Sequence, residues 1–184
     1  MTKTPLLALL VLGACASDPV SYSAPVGIEL KAKSGDVSAS NALTPDKGIT
    51  TESGNPYGKF VNDAEAKIGH APSRIDLEKV TITLGAQSTN VVGLEDVMTG
   101  DATVSFLTND TNNTFVAAKL ASPTGVGPVA GSSTFDWSQI GDPDIDKMLG
   151  GSFKVVLNAP AAAGFASKGA EAVLQLTFTF SAFE

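Results

Sequence analysis

Cysteine, histidine and tryptophan each occur once in this 184-residue chain, as Cys15, His70 and Trp137. A single cysteine rules out an intrachain disulfide and any CxxC cluster. One cysteine and one histidine cannot together supply the four nitrogen and sulfur ligands of a structural zinc site. Cations are also scarce, with 12 Lys and Arg against 19 Asp and Glu, a formal charge of −7. Such a chain has no basic stripe to neutralise phosphates, so nucleic acid is excluded as a natural partner. Long apolar runs are missing as well. The longest stretch of this kind, residues 6–12, is far short of the ~20 residues a membrane-spanning helix needs.

Catalytic signatures are absent too. His70 stands in "GHAPSR", with Ser73 nearby, but no Gly-x-Ser-x-Gly elbow accompanies them and the segment reads as a loop between a helix and a strand. "GVGPVAG" has spaced glycines but no Lys-Ser/Thr behind them, so it reads as a loop and not as a phosphate cradle. No catalytic residue is assigned. A pair of carboxylates flanking a sugar could be assembled only in three dimensions, and nineteen acids permit many such pairs. Trp137, in "STFDWSQI", shares strand parity with Phe135 and is expected in the core, not as an exposed stacking platform for carbohydrate.

What is present begins with the first fifteen residues, "MTKTPLLALLVLGAC": one cation, a short apolar stretch, then small residues. This is the pattern of a secretory signal, removed from the mature protein. Its ending, Leu12-Gly13-Ala14-Cys15, resembles the lipobox of bacterial lipoproteins. That resemblance implies diacylglycerol transfer to the Cys15 thiol, cleavage before it, and anchoring in a membrane by several acyl chains, which hold far better than one. Ala16 follows the cysteine and the nearest acid is Asp18, so the aspartate that marks inner-membrane retention in enteric-type sorting is missing from the position beside it. By resemblance the outer membrane is favoured, with the face unassigned. With Lys3 removed, residues 15–184 carry eleven cations and nineteen acids, a formal charge of −8.

The chain is then expected to divide into a signal at residues 1–14, a lipidated terminus and spacer at 15–25 and one domain at 26–184. In "VGIELKAK", Val26, Ile28 and Leu30 alternate with more polar residues, as in a strand with one buried face. The polar stretch 34–54 is long for a structureless loop, and "KGITT" within it suggests a short edge strand. "NPYGKFVNDAEAKIG" predicts a helix: Asn55 caps, Pro56 opens, Gly69 closes, and Tyr57, Phe60, Val61, Ala64 and Ile68 form one stripe.

From Ile75 the period is two. "RIDLEKVTITLG" changes parity in a way that predicts a bulge at Glu78-Lys79. Residues 102–121 read as a hairpin around "NDTNN", and "GLEDVMTG" as one helical turn. "SPTGVGPVAGSS" reads as a surface loop, and "STFDWSQI", "SFKVVLNA" and the Phe-rich "AEAVLQLTFTFSAF" as strands. Five to eight short strands with Gly, Pro and Asn turns predict a mainly β fold, an antiparallel immunoglobulin-like β-sandwich with one or two short helices. A membrane barrel closed by "TFTFSAF" is set aside, given a lipidated terminus and an ending in Glu184.

Calcium is the one cofactor that an acidic chain poor in Cys and His could bind. Asn109 and Asp110 in "NDTNN", and Asp142, Asp144 and Asp146 in "DPDIDKMLGG", are the candidate oxygen ligands. Counted from Asp142, the sixth and twelfth places of an EF-hand loop hold Lys147 and Phe153, where glycine and a bidentate acid are required. A capped helix fits better, with Asp142 as cap, Pro143 in the first turn, Ile145, Met148 and Leu149 as stripe and Gly150 as stop. The expected function is a membrane-anchored envelope protein that binds or scaffolds a protein or polysaccharide without catalysis. An envelope hydrolase using a carboxylate pair, or a calcium-stabilised adhesion module, are the alternatives.

Overall fold

The computed structural model describes residues 20–52 and 54–184. The signal segment and Cys15 lie outside them. Among the described residues nine strands form one antiparallel sheet, in the order β1 (Ser21–Lys33), β9 (Glu171–Phe183), β4 (Arg74–Leu84), β7 (Val129–Ser133), β6 (Thr114–Leu120), β5 (Ala102–Thr108), β8 (Phe153–Pro160) and β2 (Ala42–Leu43). β3 (Asp46–Ile49) also pairs with β8. Two helices, α1 (Pro56–Ile68) and α2 (Asp142–Leu149), complete it, with 3-10 turns at Leu94–Asp96 and Trp137–Gln139 among the connections.

The protein is therefore mainly β, as the alternating patterns imply. The strands expected to form two separate sheets of a sandwich are joined instead into one sheet that curls into a half-barrel. β7 makes the join: Val129, Ala130 and Gly131 pair with β4, while Ser132 and Ser133 pair with β6. It lies in the segment read as a surface loop. Its five residues are small and mostly exposed, so they carry no alternating apolar signal. Residues 21–25, assigned by composition to the spacer, are strand and pair with residues 179–183 of β9.

Curling brings the two halves of the sheet face to face over an aromatic core. Phe106 of β5 lies 5.7 Å from Phe178 and 6.2 Å from Phe180 of β9, ring centre to ring centre. Phe153 of β8 meets Phe106 edge to face at 5.4 Å. Phe106, Phe153, Phe178 and Phe180 are all almost fully buried. Aromatic pairs in these tilted and T-shaped geometries add roughly 0.5–1.5 kcal/mol each beyond the area they bury.

α1 forms as its caps direct: the Asn55 side-chain oxygen accepts from the Tyr57 N–H at 3.0 Å, and Gly69 takes φ 94° and donates to the Glu65 carbonyl at 2.7 Å. It touches both halves of the sheet. Tyr57 meets Phe153 at 5.1 Å and Phe180 at 5.6 Å, and Phe60 meets Tyr22 of β1 at 5.8 Å. The Tyr57 hydroxyl, fully buried, donates to the Met148 carbonyl of α2 at 2.8 Å. Burial pushes the ionisation of this phenol well above its ordinary range, so it stays a neutral donor.

Of the local features, the bulge falls where the parity change predicts, with the β4–β9 register shifting between Leu77 and Lys79. Glu78, left unpaired, accepts a hydrogen bond from the Ser181 hydroxyl. Trp137 is buried, in a 3-10 turn and not in a strand, with its ring 6.3 Å from Phe135.

Gly58, a mild cost to helix propensity, has a packing reason. A Cβ there would stand 2.8 Å from the backbone of Thr51, and one on Gly151 would meet Thr50 and Thr51 at 2.8–2.9 Å. The chain leaving β3 is thus gripped between two glycines. Gly58→Ala should gain up to ~1 kcal/mol of helix propensity and lose about 1–3 kcal/mol to overpacking. The expected outcome in urea unfolding is a net loss of stability, and a stabilised Gly58→Ala protein would show that the close approach does not hold in solution.

Candidate functional site

Two regions concentrate the polar groups singled out in the sequence, and they have different characters. The first joins α2 to the β5–β6 turn. α2 starts at Asp142 with Gly141 as N-cap and no side-chain cap bond, so Asp142 is the first helical residue and not the cap. Pro143 follows and Asp144 stands third. On a helix, residues two apart point about 200° apart, and the three carboxylates diverge: Asp142 and Asp146 are exposed while Asp144 is 4% exposed. Met148 is buried on the same helix, with Ile145 and Leu149 partly so.

The buried carboxylate of Asp144 is aimed at "NDTNN". Its Oδ1 accepts from the hydroxyls of Thr111 and Thr108, at 2.5 and 2.7 Å, and its Oδ2 from Nδ2 of Asn113 at 2.8 Å. Asp110 pairs with Lys147 at 2.5 Å, and Asn109 donates through Nδ2 to the Ser152 hydroxyl at 3.2 Å. The structure thus brings together the two fragments that suggested calcium. What it builds with them is a clamp, because the carboxylate faces hydroxyl and amide donors, and a cation would have to displace them.

The Thr111 hydroxyl is the chief cause that holds the Asp144 carboxyl below its ordinary value, with Asn113 and Thr108 adding to it and desolvation opposing. A folded-state value below the unfolded one, ~3.9, means that the ionised clamp stabilises the fold at neutral pH and that this contribution is lost as pH falls through the folded value.

The second region is a cleft between the two ends of the curled sheet. β1 ends the sheet on one side, and on the other β2 and β3 both pair with β8; β1 and β3 come within 8 Å of each other, Cα to Cα, without a backbone hydrogen bond between them among the described residues. α1 packs beside the gap, against β1 and β9 and, through Tyr57, against Phe153 of β8. The opening has a volume of about 700 Å³, within the ~300–1,000 Å³ typical of ligand sites. A shallower depression of about 520 Å³ adjoins it beyond Asn55 and Pro56, beside Lys59 and Asp63.

Charged residues border the cleft: Glu29 and Lys31 from β1, Asp46 and Lys47 from β3, and Glu52 beyond it, while Ile28 and Ile49 in its lining are buried. Glu29 lies 3.7 Å from Lys31, and Asp46 lies 3.2 Å from Lys154, all four side chains about half exposed. The alternation in "VGIELKAK" and the edge-strand reading of "KGITT" located both lips in the sequence. Their convergence was not visible there, because the 12 residues between them give no sign of it and the curl of the whole sheet decides their distance.

Elsewhere, His70 is exposed with Nδ1 2.8 Å from the Ala71 carbonyl, and it forms no hydrogen bond to a serine among the described residues. No helix among the described residues is long and apolar enough to cross a membrane. No protein-family model matches the chain, and no curated protein is detectably similar to it.

Two outcomes test the clamp. Asp144→Ala, which strands three donors, should cost about 1–3 kcal/mol at neutral pH, and its deficit relative to the parent protein should narrow as the pH is lowered below ~4. A melting temperature that falls when chelator is added would show instead that a cation sits there.

Proposed function

We propose that this protein is a lipid-anchored component of the bacterial envelope that binds a partner in the cleft between β1 and β3 and carries out no chemistry of its own. Cys15 is the anchor, by its resemblance to a lipobox, and the outer membrane is the favoured location. The curled sheet, whose facing halves pack as the layers of an immunoglobulin-like sandwich do, serves as the rigid scaffold. The observation that carries the binding reading is the cleft itself, about 700 Å³ of open space bordered by both ends of the sheet.

A second reading, an envelope hydrolase, draws on Glu29 and Asp46, which border that cleft from opposite lips. Against it, both carboxylates are half exposed and lysine-paired, whereas acid–base pairs in glycosidases rely on an environment that sets the two groups apart. Calcium-stabilised adhesion has the clamp at Asp144 as its only foothold, and the donors there favour a structural role.

Replacing Cys15 with serine should release the protein from the membrane fraction and leave its melting temperature unchanged; retention in the membrane would overturn the anchor. For the cleft, Gly27→Trp is the direct probe, since Gly27 lines it and a Cβ there meets nothing within 4 Å. The expected result is a protein of unchanged melting temperature that no longer yields crosslinked partners from native envelopes. Crosslinks that persist in this variant would place binding elsewhere.

A further inference from the structure

The chemistry of the cleft's lips specifies its occupant more closely. In an antiparallel strand, residues alternate between turning both backbone groups toward the neighbour and turning both away. Ser34 donates its N–H to Ala170, opposite it across the β1–β9 pair, so even-numbered residues of β1 face β9. Odd-numbered residues face away, and two observations agree: the Lys33 N–H reaches the Asp36 side chain, outside the sheet, and Pro25, with no N–H to give, sits at an odd position. The N–H and C=O groups of Gly27, Glu29 and Lys31 are therefore directed off the free edge, at the cleft.

The same reasoning applies to β3. Leu157 donates to the Pro45 carbonyl, so Lys47 and Ile49 face β8 while Asp46 and Gly48 turn their backbone groups away from it. Both lips thus present open main-chain donors and acceptors to one space.

Each lip also carries a glycine for which the fold gives no reason. Gly27 and Gly48 are exposed, neither has a positive φ, and a Cβ at either would meet nothing within 4 Å. Glycine in a strand costs roughly 0.5–1 kcal/mol relative to alanine. It is expected where another backbone approaches closely.

We infer that the cleft takes an extended polypeptide segment, held across its mouth by the open main-chain groups of β1 at residues 27–31 and of β3. This rests on the binding reading of the cleft and names its ligand class. Such a segment would turn alternate side chains toward Ile28 and Ile49 and the others toward the charged rim, so it should alternate apolar and polar residues. Lys47 and Glu52, on the β3 side, are exposed and have no ion-pair partner within 4 Å among the described residues. Opposite charges so placed match a segment bearing an acid and a base of its own, which a neutral glycan does not offer. A second copy of the chain pairing edge to edge through β1 would engage one lip alone and leave the glycine on the other unexplained.

The test is to select from a random dodecamer peptide library on the full-length protein extracted in detergent, and then to measure the affinity of the selected peptides. Peptides of alternating apolar and polar residues should emerge. Their binding should weaken about tenfold or more in Gly27→Pro, which removes an outward N–H without touching the β9 pairing, and in Gly48→Pro. It should weaken less, by about twofold to fivefold, in Gly27→Ala, which keeps that N–H and only adds a Cβ where the peptide backbone approaches. Because a proline variant could also disturb the fold, the peptides are in addition N-methylated at alternate amides, which leaves the protein intact and should abolish binding in one of the two registers. Failure to select any peptide, equal binding to Gly27→Pro, indifference to N-methylation, or self-association of the protein through β1 would each overturn the inference. If no peptide binds while Gly27→Trp still abolishes envelope crosslinks, the cleft is a binding site for another class of ligand; if neither effect is seen, the binding reading falls with it.

Discussion

A cluster of aromatic rings holds the two halves of this sheet against each other, and the other features of the structure follow from how that cluster is filled. Phe106 from one half meets Phe178 and Phe180 from the other, Phe153 packs against Phe106, and Tyr57 of α1 bridges Phe153 and Phe180. The Tyr57 hydroxyl is the polar exception in this core, and it is satisfied by the carbonyl of Met148. That one bond ties α1 to α2, so the position of each helix depends on the other. A tyrosine buried without such a partner would cost the desolvation of its hydroxyl.

The sheet does not close around this cluster. Eight strands run in sequence from β1 to β3 with every pairing antiparallel, which is the count and sense that would let the two ends pair directly. They come within 8 Å, Cα to Cα, and do not pair. The consequence is a pair of strand edges left unzipped beside each other, a feature that folded proteins ordinarily guard because open edges invite pairing with other chains. Pro25 and Lys33, at the two ends of the β1 edge, are guards of the familiar kind, and the stretch between them holds Gly27.

The Asp144 clamp and the Thr51 grip show how the remaining segments are fixed to this frame. One buried carboxylate satisfies three side chains of the β5–β6 turn and fastens α2 to the sheet. Two glycines let the chain after β3 pass between α1 and the end of α2 at backbone contact. Both devices act near the end of β3, where Thr51 passes Gly150 and Gly151.

Local features were legible in the residues where local forces decide them. Asn55, Pro56 and Gly69 bound α1, the parity change announced the bulge at Glu78, and "KGITT" overlaps the edge strand β3. The capped-helix reading of "DPDIDKMLGG" held as a helix, although Gly141 and not Asp142 is the cap. The strand β7 escaped notice because it is made of small exposed residues, and residues 21–25 looked like a spacer because serine, alanine and proline carry little apolar signal on an edge. The sequence by itself determined both helices, the strands with alternating apolar residues and the face of each that turns inward, since periodicity and capping act within a few residues. Whether the strands make two sheets or one, that Asp144 meets "NDTNN", and that the edges of β1 and β3 come to border one cleft were decided by the tertiary structure alone. These depend on the curl of the whole sheet around a shared aromatic core, a sum over contacts between residues far apart in the chain.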